Sequence, residues 1–142
     1  MGFKIFVDTD VIIDFLIDRR PHADSSTEIF NLGEHKIVDI FTSTLCLNKV
    51  HYIIKRETGE KKAREVILEL LEIIEVLAVG KEEIVRALNS DFSDFEDAIQ
   101  HAVALKKGTI KSIITRNIKD YKNSDISVFT PDMFIHMINH EK

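Results

Sequence analysis

Two aspartates end the first apolar run of the chain, Phe3-Lys4-Ile5-Phe6-Val7-Asp8-Thr9-Asp10, and three more stand at helix or strand boundaries further on. Asp94 and Asp97 open a helical stretch, and Asp120 follows a compact apolar segment ending at Thr115, with Arg116 and Asn117 between them. A three-residue step turns a helix by about 300°, so Asp94 and Asp97 share a side, and His101 returns close to Asp97. Clustered carboxylates repel one another and require a counter-charge, and an all-oxygen site suits Mg²⁺ or Mn²⁺. The plainer readings are that Asp10 and Asp94 cap helices and that His101 is a polar rim residue. Asp8 is harder to dismiss, because an acid at the mouth of a sheet has no capping duty that Asp10 could not perform.

These acids need a scaffold that gathers them. An almost unbroken apolar strand such as Phe3–Val7 is typical of a buried parallel sheet, whose ligands sit beyond the carboxyl ends of its strands. Helical stretches are expected over 11–17, around Ile29, Phe30 and Leu32, over 45–57, from Glu60 through Ile74, over 82–89, over 94–107 and over 132–139. Strands are expected over 37–42, 75–79, 112–115 and 126–129. Alternation of this kind gives an α/β fold, a three-layer α/β/α sandwich around a mainly parallel sheet of four to five strands, in a single domain spanning 1–142.

Composition narrows the classes. With 142 residues, 44% hydrophobic, 30% charged, five Gly and two Pro, the chain is neither disordered nor fibrous. It has no apolar stretch near the roughly 20 residues that span a bilayer, and no secretory signal is visible. The lone Cys46 lies in an apolar segment, reads as a core residue and cannot form an internal disulfide, so a cytoplasmic setting is expected. The net charge of −5 is unlike that of a dedicated nucleic-acid binder, yet acids gathered in a metal site leave room for a local basic track. Arg116, Lys119 and Lys122 lie beside the acids, whereas Lys55, Arg56, Lys61 and Lys62 read as a solvated helix face.

With these residues in place, the chain resembles the PIN-domain family, the fold of VapC-type ribonuclease toxins, over nearly its whole length. Val7-Asp8-Thr9-Asp10-Val11-Ile12-Ile13-Asp14-Phe15-Leu16 resembles the first motif, with Asp8 as its leading aspartate. Asp94-Phe95-Glu96-Asp97-Ala98-Ile99-Gln100 resembles the central helix motif, with Asp97 at the metal-binding position and Asp94 as an additional acid. Ile113-Ile114-Thr115-Arg116-Asn117-Ile118-Lys119-Asp120-Tyr121 resembles the last motif, with Asn117 where an aspartate often stands.

The resemblance implies an endoribonuclease dependent on Mg²⁺ or Mn²⁺, with metal on Asp8 and Asp97 supported by Asp94, and with Asn117 and Asp120 completing the catalytic set. No nucleophilic side chain and no organic cofactor are implied. Thr9, Thr115, Lys49, Arg116 and Lys119 are the candidates for contacts to substrate, with Thr9 and Thr115, both at strand ends, also placed to orient water or a ligand carboxylate. An RNA substrate, a small antitoxin blocking the acidic cleft and a homodimer are implied as partners, with no membrane. The His51-Tyr52 side of its helix and the C-terminal residues Met133, Phe134 and Met137 offer spare apolar surface for a dimer, or simply pack on the sheet. Family members usually carry a glutamate early in the helix after the second strand, where this chain has Lys49 beside Asn48. Two readings of Lys49 are open: it pairs with Asp8 or Asp97 and displaces the metal, or it swings out to hold a phosphate while Asp94 replaces the missing acid.

Two rivals follow. One is a non-catalytic PIN-like domain that binds RNA or protein, favoured by Lys49 and Asn117. The other is a haloacid-dehalogenase-like phosphatase, since Asp8-Thr9-Asp10-Val11 also fits that family's nucleophile motif, with Asp8 as nucleophile and Asp10 as acid/base.

Overall fold

The computed structural model describes residues 2–140. β1 (Phe3–Val7) leads into α1 (Thr9–Leu16) and α2 (Ala23–Glu34), then β2 (Val38–Ser43), α3 (Thr44–Thr58), α4 (Glu60–Leu70), β3 (Ile74–Leu77) and α5 (Lys81–Leu88). α6 (Phe95–Lys107), β4 (Ser112–Ile114), a 3-10 turn (Ile118–Tyr121), β5 (Ser127–Phe129) and α7 (Pro131–His140) complete the order. The five strands form one sheet in the order β3-β2-β1-β4-β5, with all four pairings parallel. The chain winds outward from β1 in one direction through β2 and β3, and in the other through β4 and β5. The crevice beyond β1 and β4 is therefore the topological switch point, the usual place for a ligand in such a sheet.

The alternation of strand residues decides which helices lie on which face. Ile5 and Val7 of β1, with Ile40 and Ile114, face Val11, Ile12, Ile29, Phe30, Val50, Ile54, Ala63, Leu70 and Phe134 of α1, α2, α3, α4 and α7. Phe6, Phe41 and Ile113 face the other way, onto Cys46, Ala87, Ala98, Ile99 and Val103, so α5 and α6 cover the second face. Gly33 marks the close crossing of α2 over the sheet, where an added Cβ would lie 2.5 Å from Ile40 Cδ1. Gly59, at φ 90°, lets the chain turn from α3 directly into α4.

The three-layer sandwich and the parallel sheet are as expected, and the strand number is five. One expectation changes. The helical stripe read through Ile74 ends at Leu70, because a turn over 71–73 intervenes and Ile74 opens β3. Of the two readings of Phe134, dimer surface or packing on the sheet, the second holds: it is fully buried and packs edge-on against Phe3 and Phe129. The 3-10 turn was not foreseen; four residues are too short to carry a period.

Candidate metal and nucleic-acid site

Asp8 closes β1 and caps α1. Its amide donates to the Ile114 carbonyl at 2.9 Å, extending the β1–β4 ladder by one step and fixing the carboxylate at the sheet mouth. Oδ1 accepts the Thr9 amide at 2.8 Å. Oδ2 accepts the Thr115 hydroxyl at 2.9 Å and, more weakly, the Tyr121 hydroxyl at 3.4 Å. Burial pushes the Asp8 carboxyl above the ordinary carboxylate value; the Thr9 and Thr115 donors oppose the rise, while nearby Asp10 adds to it.

Asp97 reaches the same place from α6. Asp94 caps that helix, its Oδ1 accepting the Asp97 amide at 2.9 Å, and Asp94 and Asp97 line the same cavity as Asp8. Burial first, and then the charges of Asp8, Asp94 and Asp120, raise the Asp97 carboxyl to about 7; a hydrogen bond from Tyr121 opposes the rise. Asp10 Oδ2 accepts the Asn117 side-chain amide at 3.0 Å, tying α1 to the loop after β4. Gln100 is buried one turn beyond Asp97 and accepts the Ser43 hydroxyl at 2.6 Å.

These groups surround one cavity of about 170 Å³, lined by Asp8, Thr9, Asp10, Lys49, Asp94, Glu96, Asp97, Gln100, Asn117 and Asp120. Lys49 takes neither of the two positions considered for it from the sequence. Its Nζ sits 2.5 Å from Glu96 Oε1, and the pair is about half exposed at the rim. Glu96 raises the Lys49 pKa by hydrogen bond and charge against the opposing effect of burial, with smaller contributions from Asp8 and Asp10. The ammonium is thus charged and directed at Glu96, leaving Asp8 and Asp97 without a basic partner among the described residues.

Thr115 is buried behind Asp8 and donates to its carboxylate, the orienting role considered for it rather than a contact to substrate. Three sequence candidates are placed differently from expectation. Arg116 turns away to Asp14, with Nε 3.0 Å from Oδ2, although the pair lacks hydrogen-bond alignment. Asp14 is fully buried and also accepts Arg19 Nε at 2.9 Å, so Arg116 neutralises a core charge instead of waiting for a phosphate. Lys119 is exposed and does not line the cavity. His101 is no rim residue: it is buried beneath Phe92, ring centroids 4.8 Å apart, its Nε2 accepts the Asp125 amide at 3.0 Å, and burial lowers its pKa.

Cys46 is buried, and desolvation followed by the charge of Asp8 pushes its thiol pKa up, which disqualifies it as a nucleophile. The more distant Lys55 pairs with Glu60 at 3.7 Å, and Arg56 lies over the Tyr52 ring. Tyr121 and Gln100 have no site role in the sequence reading, and Glu96 only that of a first-turn acid, although Glu96 and Gln100 stand within the central helix motif and Tyr121 follows Asp120 in the last.

The donor chemistry fits a hard divalent cation: the facing groups are oxygen ligands, and two of the carboxyls have pKa values raised in a way an added positive charge would reverse. As the side chains stand, no three His, Cys, Asp or Glu groups among the described residues converge closely enough to grip one ion, so binding requires rotation of carboxylates. The phosphatase reading finds no support. Asp10 is engaged by Asn117, and Asp94 and Asp97 follow a loop from α5 rather than a strand.

Comparison with known proteins agrees with this architecture. The family model for the PIN domain matches residues 4–119. The ribonuclease VapC1 of Aquifex aeolicus (strain VF5) is 30% identical over 141 residues, covering 96% of each chain. Among solved structures, a chain of a toxin–antitoxin complex from Klebsiella pneumoniae superposes with a TM-score of 0.67 at 22% identity, covering 89% of this chain and 97% of that one. The sarcin–ricin-loop-cleaving toxin VapC20 of Mycobacterium tuberculosis gives 0.61 at 23% identity, over 77% and 86%. By sequence over nearly its full length, and by a fold that gathers its acids at the β1–β4 crevice, the chain belongs to the PIN-domain family.

Proposed function

We propose that this chain is a metal-dependent endoribonuclease and the toxin of a toxin–antitoxin pair, acting as one domain over 1–142. The observation that carries the reading is the convergence of Asp8, Asp97, Asp94 and Asp120, from three separate segments, on one small cavity at the switch point of the sheet. Asp8 and Asp97 would hold Mg²⁺ or Mn²⁺, with Asp94 and Asp120 beside them. When bound, the ion supplies Lewis acidity for hydrolysis of an RNA phosphodiester and lowers the pKa of the attacking water.

The chain's own residues do the rest. Thr115 and Tyr121 fix the Asp8 carboxylate so that one geometry is presented without reorganisation. Asn117 holds Asp10 against the loop after β4 and keeps the mouth of the cleft in shape. In the metal-free chain Asp97, at about 7, is held partly protonated by burial and by Asp8, Asp94 and Asp120, a strain that a bound ion would relieve. Lys49 offers the cavity a fixed positive charge.

The toxin–antitoxin complexes among the structural neighbours support an antitoxin partner, for which an acidic cleft calls for a basic side chain. For the homodimer, the face between α3 and α4 offers an apolar groove of about 490 Å³, lined in part by Leu47, Ile67, Leu68 and Leu71. Leu68 is two-thirds exposed there.

The test is Mn²⁺ titration by calorimetry into the wild-type chain and Asp97→Asn, followed by cleavage of RNA with and without chelator. Binding that disappears in the variant, with cleavage abolished by chelator, is the expected result. Absence of binding to the wild type would leave the reading as a non-catalytic RNA- or protein-binding domain in its place.

A further inference from the structure

Asp8, Asp10, Asp94, Glu96, Asp97 and Asp120 line the cleft, and the chain as a whole carries a net charge of −5. Such a mouth repels a polyanion, and a divalent ion offsets only part of that charge. Affinity for a phosphate chain therefore has to come from cations beside the cleft.

Lys49 is where such a surface starts. It lines the cleft and also a groove of about 690 Å³ between the residues after α1 and α3, where Arg19, Tyr52 and Arg56 stand with Asp18 and Glu57. A second groove, of about 440 Å³, shares Lys49 and Tyr52, adds Lys55, and has no acid among the described residues of its lining. Lys49, Tyr52 and Arg56 follow at steps of three and four along α3, so they form one stripe rising about 10 Å from the rim of the cleft. That stripe lies about 100° round the helix from Leu47, Asn48 and His51, which line the groove toward α4.

Tyr52 is 61% exposed, and the Arg56 guanidinium lies 5.6 Å from its ring centroid. A planar cation beside an exposed ring is a platform on which an unstacked base can lie while its phosphates meet the neighbouring charges. Arg56 has no ion pair among the described residues, and the part-exposed Lys49–Glu96 pair is of the kind that exchanges for a phosphate at little cost. Arg19 holds the buried Asp14 through Nε and is itself 39% exposed.

We propose that the Lys49–Tyr52–Arg56 stripe of α3 is a binding surface for single-stranded RNA, with phosphates at Lys49, Arg56 and Arg19 and one base stacked on Tyr52. The inference rests on the ribonuclease reading and adds to it the course of the strand outside the cleft. The four basic residues that read as one solvated face accordingly divide: Lys55 and Arg56 line these grooves, whereas Lys61 and Lys62 line neither.

The probe is a fluorescein-labelled single-stranded RNA of about a dozen nucleotides, bound to the full chain in chelator and followed by fluorescence anisotropy across a salt series. Wild type should lose affinity with a log–log slope of about −2, at about −0.7 for each of three phosphate contacts. Lys49→Gln and Arg56→Gln should each flatten the slope by about 0.7. Tyr52→Leu should weaken binding about tenfold at unchanged slope, because leucine keeps apolar bulk but loses the stacking face. An annealed duplex of the same sequence should not distinguish Tyr52→Leu from wild type, since its bases are not free to stack. A chain carrying both Lys61→Gln and Lys62→Gln is the control and should bind the single strand as wild type does.

No binding by wild type, or binding unchanged in all three stripe variants, would overturn the proposal and leave this face to a protein partner. A loss in the Lys61 and Lys62 control equal to that of the stripe variants would also overturn it, because binding would then follow overall charge. Cleavage in Mn²⁺ separates the surface from the ribonuclease reading: Arg56→Gln and Tyr52→Leu should raise KM and leave kcat unchanged. Cleavage with KM unmoved in both would overturn the surface and keep the nuclease. Stripe-dependent binding with no cleavage by wild type would support the surface and defeat the nuclease.

Discussion

Asp97→Asn should make the metal-free protein more stable at neutral pH, although it removes the residue placed at the centre of the site. An isolated aspartate releases its proton near 3.8; in the folded chain Asp97 keeps it to about 7, because burial and then the charges of Asp8, Asp94 and Asp120 disfavour the ionised form. Since the folded-state value is raised, the unfolded chain ionises first as pH rises, and stability is lost between about pH 4 and pH 7. The full shift corresponds to about 4 kcal/mol, and solvent screening at a partly exposed position reduces that to about 2 kcal/mol. Asparagine has nearly the same shape as the protonated acid and never ionises, so the variant escapes the loss.

For a chain of this length 2 kcal/mol is about 6 °C in melting temperature. The measurement is a set of thermal melts in chelator from pH 4.5 to 8.5. Asp97→Asn should melt about 6 °C above wild type at pH 8, with the gap closing toward pH 4. Adding Mn²⁺ to about 100 times its Kd should lift wild type by about 2.7 kcal/mol and reverse the order, while leaving the variant unmoved. A variant that melts at or below wild type at pH 8 in chelator would refute the reasoning, because Asp97 would then be held by favourable contacts rather than strained by its neighbours.

Thr115→Val keeps the shape of the side chain but removes the 2.9 Å donor to Asp8; Mn²⁺ affinity should fall about tenfold by calorimetry, and Tyr121→Phe, whose contact is 3.4 Å, should lower it less. Arg116→Ala leaves the buried Asp14 with Arg19 alone and should lower stability by about 2 kcal/mol in urea melts, whereas a phosphate-binding Arg116 would lose RNA cleavage at unchanged stability. Leu68→Glu should convert a homodimer into monomer by light scattering at unchanged melting of the isolated fold, because the side chain is two-thirds exposed and no core contact is lost.

What the sequence revealed about the site follows the range of the interactions. Asp8 was legible because an apolar strand ending in an acid is a local pattern, and Asp94 and Asp97 because helical spacing puts them on one side. The same spacing misled at His101. One further turn along α6 carries that side chain out of the cleft and under Phe92, where the Asp125 amide claims it. The helical stripe through Ile74 failed for a related reason: Ile73 and Ile74 keep the period, and the turn that breaks it uses residues of no special turn chemistry, Leu71-Glu72-Ile73. Arg116 read as a phosphate ligand by proximity in the chain. Its choice of Asp14 is a contact across about a hundred residues that no local pattern encodes. Lys49–Glu96 and Tyr121–Asp8 are of the same kind, 47 and 113 residues apart.

The long-range contacts also give the two central acids, Asp8 and Asp97, different surroundings. Asp8 is the more deeply buried of the two, yet it collects an amide and a full-strength hydroxyl bond that stabilise its charged form. Asp97 has only the Tyr121 hydroxyl in its favour and faces three carboxylates. Lys49, the one ammonium lining the cavity among the described residues, has its hydrogen bond on Glu96 and leaves that imbalance in place. Both carboxyls are raised above their ordinary value, so a cation entering the cleft should favour their ionised forms and displace protons. Calorimetric titrations of Mn²⁺ at pH 6.5 in buffers of different ionisation enthalpy should show proton release on binding, and no release would mean that Asp97 is already ionised before the ion arrives.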